Sequence, residues 1–212
     1  MYPAVMQGAT LEKSGIRTFN DLLGKRVAIF TPGSGTYNMA MAVFEALGLD
    51  VKKIKIQHLN ITEGVNAIRN GNLDVQFMAM AYPAPWIMDL SVTHKIALIR
   101  ASDPELTQIQ QKYPYYIPSV VPAGVYTGVN EAVKMPGIWN SYVGTKDLPD
   151  DLAYQITKIV HEHTDDLKKA YKDAGQATPE NTMKYSIAPL HPGSIKYYRE
   201  KGLSIPEHLV PK

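Results

Sequence analysis

The stretch RVAIFTPGSGT, residues 26–36, decides the fold class of this chain. Residues 26–30 form a short apolar run that is typical of a buried strand, and the proline and two glycines in 31–36 predict a turn directly after it. A helical pattern follows, because apolar residues recur at three- and four-residue spacing over 39–47, and Gly48 predicts the helix end. The stretch therefore indicates a strand, a glycine-rich turn and a helix.

The same alternation of strand and helix continues to residue 99. The alternating polar and apolar residues at 53–57 and the segments at 73–80 and 95–99 predict three more strands. Helices that begin after Thr62 and at 86–92 separate them. Strands that alternate with helices favour right-handed crossovers and a mostly parallel sheet with both faces covered.

The remainder of the chain has a different pattern. Ser102 and Glu105 have capping-box spacing, residues 113–127 predict an extended, irregular segment, and residues 137–143 predict one more strand. Helices are expected from Asp150 or Asp151, from Thr178-Pro179 and from His191-Pro192. We therefore predict an α/β lobe followed by a helical C-terminal part.

Composition excludes several classes of function. The chain has 212 residues, 45% of them hydrophobic and 20% charged, with a formal net charge of +2 and no cysteine. These values are typical of a folded soluble domain, argue against nucleic acid as a partner, and exclude disulfides and thiolate chemistry. No apolar run is long enough to span a bilayer, and the N-terminus lacks the pattern of a signal peptide.

The turn after the first strand is the best candidate for a binding site. Gly33 and Gly35 let the backbone approach a ligand closely, Ser34 and Thr36 add hydroxyl donors, and the helix start offers unpaired N–H groups to an anion. The spacing matches neither a phosphate-binding P-loop nor a dinucleotide fingerprint. A tight turn with a serine or threonine N-cap explains the same residues equally well.

Two further loops are candidates for the same site. Ala81, Tyr82 and Pro83 follow another strand, so we expect them at the same edge of the sheet, where ligands bind in open α/β folds. Tyr126 ends the segment that begins at Pro122, which could form a third wall. Rigid loops with their aromatic side chains packed inward are the alternative.

The sequence contains no credible catalytic or metal-binding set. His161 and His163 lie two residues apart and point to different faces of a helix, so we expect a solvated helix end. Asp150 and Asp151 are expected to cap a helix. We therefore predict no metal, no cofactor and no enzymatic activity.

Taken together, these motifs resemble the TAXI family, the solute receptors of tripartite ATP-independent periplasmic (TRAP) transporters. The resemblance runs along nearly the whole chain in the expected order. The segments that carry it are Ser14-Gly15-Ile16, Asp21 to Val27, Pro32 to Thr36, Tyr82-Pro83, Ile117-Pro118, Pro122 to Tyr126, Leu148 to Leu152 with Tyr154, and Pro189 to Gly193 with Tyr197-Tyr198.

The resemblance implies a type II periplasmic-binding-protein fold, with one complete α/β lobe and the helical part of an incomplete second lobe. Residues 1–12 would be an outgoing hinge strand, 13–136 the ligand-binding lobe, and 137–212 the returning strand with the C-terminal helices. It also implies a small carboxylate ligand such as glutamate, TRAP membrane subunits as partners, and a periplasmic location.

Members of this family carry a longer N-terminal segment, which includes a signal peptide and half of the first lobe. Met1 falls where those proteins enter their first hinge strand, so we expect a late start, a truncation or a proteolytic product. We then expect weak or no ligand binding by this chain alone, and self-association through apolar surface on its C-terminal helices. The chain also differs from the usual family residues at Tyr37 and Ala81.

Two alternatives remain on the same fold. An enzyme could hold an anionic substrate on the 33–36 loop, but it would need a general base that the sequence does not offer. A small-molecule-sensing domain of a regulator would need an attached DNA-binding segment, and no helix-turn-helix pattern is visible.

Overall fold

The computed structural model describes residues 2–170 and 172–211. The chain divides into two compact units, one formed by Ala4–Ile138 and the other by Met1–Pro3 together with Trp139–Lys212. Within the described residues, no helix is long and apolar enough to cross a bilayer.

One seven-stranded sheet organises the larger unit. Its strand order is β3-β2-β4-β1-β7-β6, and β5 pairs with β1 beside this path. The strands are β1 (Pro3–Leu11), β2 (Arg26–Ala28), β3 (Lys55–Gln57), β4 (Val75–Met80), β5 (Ile96–Leu98), β6 (Tyr116–Val121) and β7 (Val133–Trp139).

The sheet is mixed in direction, which corrects the expectation of a mostly parallel one. β2 runs parallel to β3 and to β4. In contrast, β1 is antiparallel to β4 and β5, and β6 is antiparallel to β7. The connection between β6 and β7, residues 122–132, is too short for a parallel crossover, so this pair reverses direction.

Four helices accompany the sheet: α1 (Gly35–Ala46), α2 (Ile61–Arg69), α3 (Pro85–Thr93) and α4 (Asp103–Lys112). The expected capping box of α4 is confirmed, since the side chains and backbone N–H groups of Ser102 and Glu105 bond reciprocally. The predicted start of α2 was wrong, because its N-cap is Asn60 and not Thr62. Asn60 Oδ1 accepts the Glu63 N–H at 2.9 Å, and Glu63 Oε2 accepts the Asn60 N–H at 2.9 Å.

The core lies on both faces of the sheet, as the alternation of side chains along a strand requires. On β1, Met6 joins a cluster that contains Phe44 of α1, whereas its neighbour Val5 joins a second cluster that contains Ile87 of α3. The central strands are therefore buried from both sides, which explains their near-continuous apolar sequence.

Two strands differ from the sequence-based expectation. Residues 113–127 contain strand β6, and the strand expected at 137–143 is β7, which begins at Val133 and ends at Trp139. Pro118 and Pro136 face each other in the register of this pair. Proline is rare in strands and occurs at sheet edges, so both prolines conceal the strand pattern.

The smaller unit contains helices α5 (Asp150–Glu162), α6 (Thr164–Ala170), α7 (Pro179–Tyr185) and α8 (Pro192–Glu200). Polar side chains link α5 to α8. Tyr154 donates its hydroxyl to Glu200 Oε2 at 2.6 Å, and the hydroxyls of Thr157 and Ser194 lie 2.7 Å apart. The starts expected for α5, α7 and α8 are confirmed. The N-cap of α5 is Pro149 and not an aspartate as expected; Asp150 and Asp151 lie in the first turn, where their charge favours the helix dipole.

The expectation for His161 was wrong. Its ring is half-buried, with Nδ1 at 2.9 Å from the Ala177 carbonyl and Nε2 at 2.9 Å from the Tyr198 hydroxyl. Burial lowers the pKa of His161. His163 remains exposed, as expected. The segment that folds back to cover His161 is distant in sequence, which is why its burial could not be predicted locally.

Candidate functional site

Three helices begin at one edge of the sheet. Because β2, β3 and β4 are parallel neighbours, the loops that follow them leave the sheet at the same edge. These loops are residues 29–34, 58–60 and 81–84, and they lead into α1, α2 and α3. This is the edge at which open α/β sheets bind ligands.

The loop before α1 is shaped by its own backbone. Gly33 has a φ of 84°, a conformation that favours glycine, and it turns the exposed chain toward the helix. Ser34 is the N-cap: its Oγ accepts the Tyr37 N–H at 3.1 Å, and its carbonyl accepts the Asn38 N–H at 2.9 Å. The Ser34 hydroxyl keeps its own proton as a donor.

The first two N–H groups of α1, those of Gly35 and Thr36, have no acceptor among the described residues. Gly35 is exposed. Unpaired N–H groups at a helix start, together with the helix dipole, favour an anion. This loop therefore presents two amide donors and one hydroxyl donor to a small anionic group.

The Thr36 side chain points away from that position. It is buried, and its Oγ1 accepts the Ala79 N–H of β4 at 3.1 Å and lies 4.0 Å from Met78 Sδ. The hydroxyl therefore ties α1 to β4. Only the backbone N–H of Thr36 remains for a ligand, whereas the sequence suggested its hydroxyl as a further donor.

Tyr126 also has its polar group in the interior. The residue is 1% exposed, and its hydroxyl accepts the Ala84 N–H at 2.7 Å and donates to Gln7 Oε1. Burial raises the pKa of Tyr126 to about 12. The structure therefore shows Tyr126 anchoring the loop before α3 from beneath.

The loop after β4 combines buried and exposed residues. The Ala81 carbonyl accepts from Gln7 Nε2 at 3.2 Å, so the start of the loop is fixed to β1. Tyr82 is half-buried against the apolar cluster of α3, whereas Pro83, joined to it by a cis peptide bond, is exposed. Tyr82 and Pro83 thus contribute surface at the same edge as Gly35.

His58, in the loop after β3, is a residue at this edge that the sequence analysis missed. Its Nδ1 lies 2.9 Å from the Phe30 carbonyl, and its ring centroid lies 5.8 Å from that of Tyr37 on α1. Phe30 has a φ of 66°, a costly conformation for a residue other than glycine. The available signal was the position of His58 directly after a strand parallel to β2.

Other chemical features lie elsewhere. Among the described residues, no three histidine, aspartate or glutamate side chains are grouped so that they could hold a metal ion. Two surface hollows of about 470 and 480 Å³ lie beside α8 and beside the outer face of α1. The ion pair between Arg26 and Asp74, with an N–O distance of 2.6 Å, lies at the N-terminal ends of β2 and β4, away from this edge.

Comparison with solved structures identifies the fold. The periplasmic aliphatic sulphonate-binding protein SsuA of Escherichia coli superposes with a TM-score of 0.50 at 16% identity, over 94% of this chain and 56% of that one. The alkanesulfonate-binding protein SsuA of Xanthomonas axonopodis pv. citri matches at 20% identity with a TM-score of 0.47, over 99% of this chain and 67% of that one.

A putative L-cystine ABC transporter protein of Listeria monocytogenes matches at 17% identity with a TM-score of 0.44, over 82% of this chain and 60% of that one. The likeness to SsuA of Escherichia coli shows that the chain has a periplasmic-binding-protein-like fold. The chain spans between 56% and 67% of the length of these three proteins. The family model for NMT1-like proteins matches residues 1–202. This chain therefore belongs to the NMT1-like family.

Proposed function

We propose that this protein is an extracytoplasmic solute receptor that binds a small carboxylate, a glutamate-like amino acid or a dicarboxylate, for a TRAP-type membrane transporter. The observation that carries the proposal is the pair of unpaired N–H groups at Gly35 and Thr36, beside the Ser34 hydroxyl. The likeness of this chain's fold to that of a solute-binding protein supports a receptor role over an enzyme.

The carboxylate would dock on the amides of Gly35 and Thr36 and on the Ser34 hydroxyl, with Gly33, Tyr82 and Pro83 bordering it. Ala81 and Tyr126 would hold the surrounding loop in position. SsuA of Escherichia coli is an aliphatic sulphonate-binding protein, and a sulphonate presents a similar oxyanion. Methanesulfonate therefore belongs in the test beside the carboxylates.

A pair of substitutions at Gly35 separates the amide donor from every other feature of the loop. Gly35 is the first residue of α1, where proline is favoured, and Ser34 before it has the extended backbone (φ −73°, ψ 156°) that a following proline requires. Gly35→Pro removes the N–H, and Gly35→Ala keeps it. A Cβ at this position meets no atom within 4 Å, so both variants should fold.

The test is an NMR titration of the 212-residue chain with L-glutamate, glutarate, methanesulfonate and the uncharged diamide glutaramide. We expect one of the carboxylates to shift the amide signals of residues 33–36 saturably, and glutaramide to leave them unchanged. Gly35→Pro should weaken binding by about tenfold or more, since it removes a hydrogen bond to a charged group. Gly35→Ala should bind like the wild type.

Two results would contradict the proposal. One is the absence of any saturable shift with the carboxylates at millimolar concentration. The other is equal affinity in Gly35→Pro and Gly35→Ala. If methanesulfonate alone binds, the receptor role stands and the carboxylate ligand is wrong.

We also propose that this chain self-associates through α5. Leu152, Ile156 and Ile159 are 49%, 41% and 55% exposed, and their spacing places them on one face of the helix. An apolar stripe of this kind is typical of a contact surface. Light scattering should show a dimer that Ile156→Glu converts to a monomer; a monomeric wild type at high concentration would contradict this.

A further inference from the structure

The edge that holds the proposed anion site lacks a permanent positive charge. Residues 29–36, 58–60 and 81–85, which form the three loops and the adjoining helix starts, contain neither lysine nor arginine. His58 is the only side chain in these segments that can become a cation. An anion bound there would otherwise meet only backbone and hydroxyl dipoles.

The contact between His58 and Phe30 decides which ring nitrogen carries the proton in the neutral imidazole. A carbonyl oxygen can only accept, so the Nδ1 atom, at 2.9 Å from the Phe30 carbonyl, must carry a proton. In the neutral ring Nε2 is then an acceptor. Nε2 has no hydrogen-bond partner among the described residues, and His58 is exposed.

Protonation therefore changes one atom in a defined way. Nε2 becomes an N–H donor and the ring gains a positive charge, while the bond from Nδ1 to Phe30 persists. Imidazole is the side chain that changes charge between about pH 5 and pH 8. We propose that His58 is a pH-dependent recognition residue of the anion site, whose cationic form strengthens binding of a carboxylate at low pH. This inference rests on the proposed function.

Three titratable side chains on the elements around His58 contact its ring or lie near it in sequence. The groups are Tyr37 of α1, whose ring contacts the imidazole, Glu63 in the first turn of α2, and Lys55 at the start of β3. The Glu63 carboxylate is engaged by the Asn60 N–H in the capping box. Among the described residues, no carboxylate forms an ion pair with His58.

The test measures the affinity for L-glutamate at about pH 5.5 and about pH 8 by NMR titration of the 212-residue chain. The ligand keeps its charge across this range, because its side-chain carboxyl titrates near 4.3. We expect the wild type to bind about five- to tenfold more tightly at the lower pH, as expected for one added charge-assisted hydrogen bond at an exposed site.

His58→Asn keeps an N–H that can bond to the Phe30 carbonyl but cannot titrate, and His58→Gln serves as a second neutral variant. Both should bind equally at the two pH values. The matched control is His94→Asn: His94 follows the C-terminal end of α3, nine residues from the binding edge, and this variant should keep the pH dependence.

The outcomes separate the two proposals. Binding that does not change with pH in the wild type, or a pH dependence that persists in both His58 variants, overturns the role of His58 and leaves the receptor function intact. Absence of L-glutamate binding at both pH values overturns the glutamate proposal, and the role of His58 falls with it. Loss of the pH dependence in His94→Asn also overturns the assignment.

Discussion

Replacing Tyr126 by phenylalanine tests whether a buried hydroxyl holds the loop at the binding edge. The Tyr126 hydroxyl accepts the Ala84 N–H at 2.7 Å and donates to Gln7 Oε1, and the residue is 1% exposed. Phenylalanine has nearly the same shape but leaves both partners buried without a bond. Each buried group left unsatisfied costs about 1–3 kcal/mol, so for two groups we expect the free energy of unfolding to fall by about 2–6 kcal/mol.

The assay is urea denaturation followed by residue-resolved NMR signals of β1 and β4, which report the unit that contains Tyr126. Hydrogen exchange at the Ala84 amide gives a second readout, because this amide loses its acceptor and should lose protection. Tyr115→Phe is the matched control: Tyr115 is 36% exposed, and its change should stay within about 0.5 kcal/mol. If Tyr126→Phe changes stability by no more than this control and Ala84 remains protected, the hydroxyl does not anchor the loop.

Three further predictions concern stability. A Cβ on Gly64 would lie 1.6 Å from a buried glutamine side chain on β4, so Gly64→Ala should cost about 1–3 kcal/mol in chemical denaturation; a neutral effect would contradict the packing. Hydrogen bonds from the Arg26 side chain lower the pKa of Asp74, so this carboxylate contributes stability above about pH 4 that is lost as pH falls through its folded pKa. Asp74→Asn should therefore reduce the fall in the free energy of unfolding at acid pH. If this fall is as steep as in the wild type, the Arg26–Asp74 pair does not make this contribution. Burial lowers the pKa of His161, so stability present above about pH 6.5 should be lost as pH falls through the folded pKa. His161→Gln should remove this loss and the exposed control His163→Gln should retain it; identical profiles for the two variants would refute the assignment.

Local signals accounted for much of the secondary structure. The capping box at Ser102 and the proline-initiated helices after Thr178 and His191 were predicted, because a cap or an N-terminal proline acts within a few residues of sequence. In contrast, strand β7 was predicted at 137–143 and in the structure begins four residues earlier, at Val133. Its identity depends on pairing with β6, a contact between distant residues that a short pattern does not encode.

At the candidate site, the sequence predicted which loops lie together but not the direction of their side chains. The turn at 31–36 and the loop after β4 were placed at one sheet edge from the alternation of strands and helices alone, and the parallel pairing of β2 with β4 accounts for that placement. Side-chain direction was beyond the sequence. Thr36 and Tyr126 have polar groups that a ligand could use, but both bond to the interior.

The sequence by itself determined the fold class, the order of most elements up to residue 112 and the family resemblance, because hydrophobic periodicity and turn residues are local properties of the chain. Only the tertiary structure decided the mixed direction of the sheet, the burial of His161 and the placement of His58 against Phe30. Each of these depends on contacts between segments far apart in sequence. Burial, hydrogen-bond partners and charge at a site arise from such contacts, so local sequence patterns do not predict them.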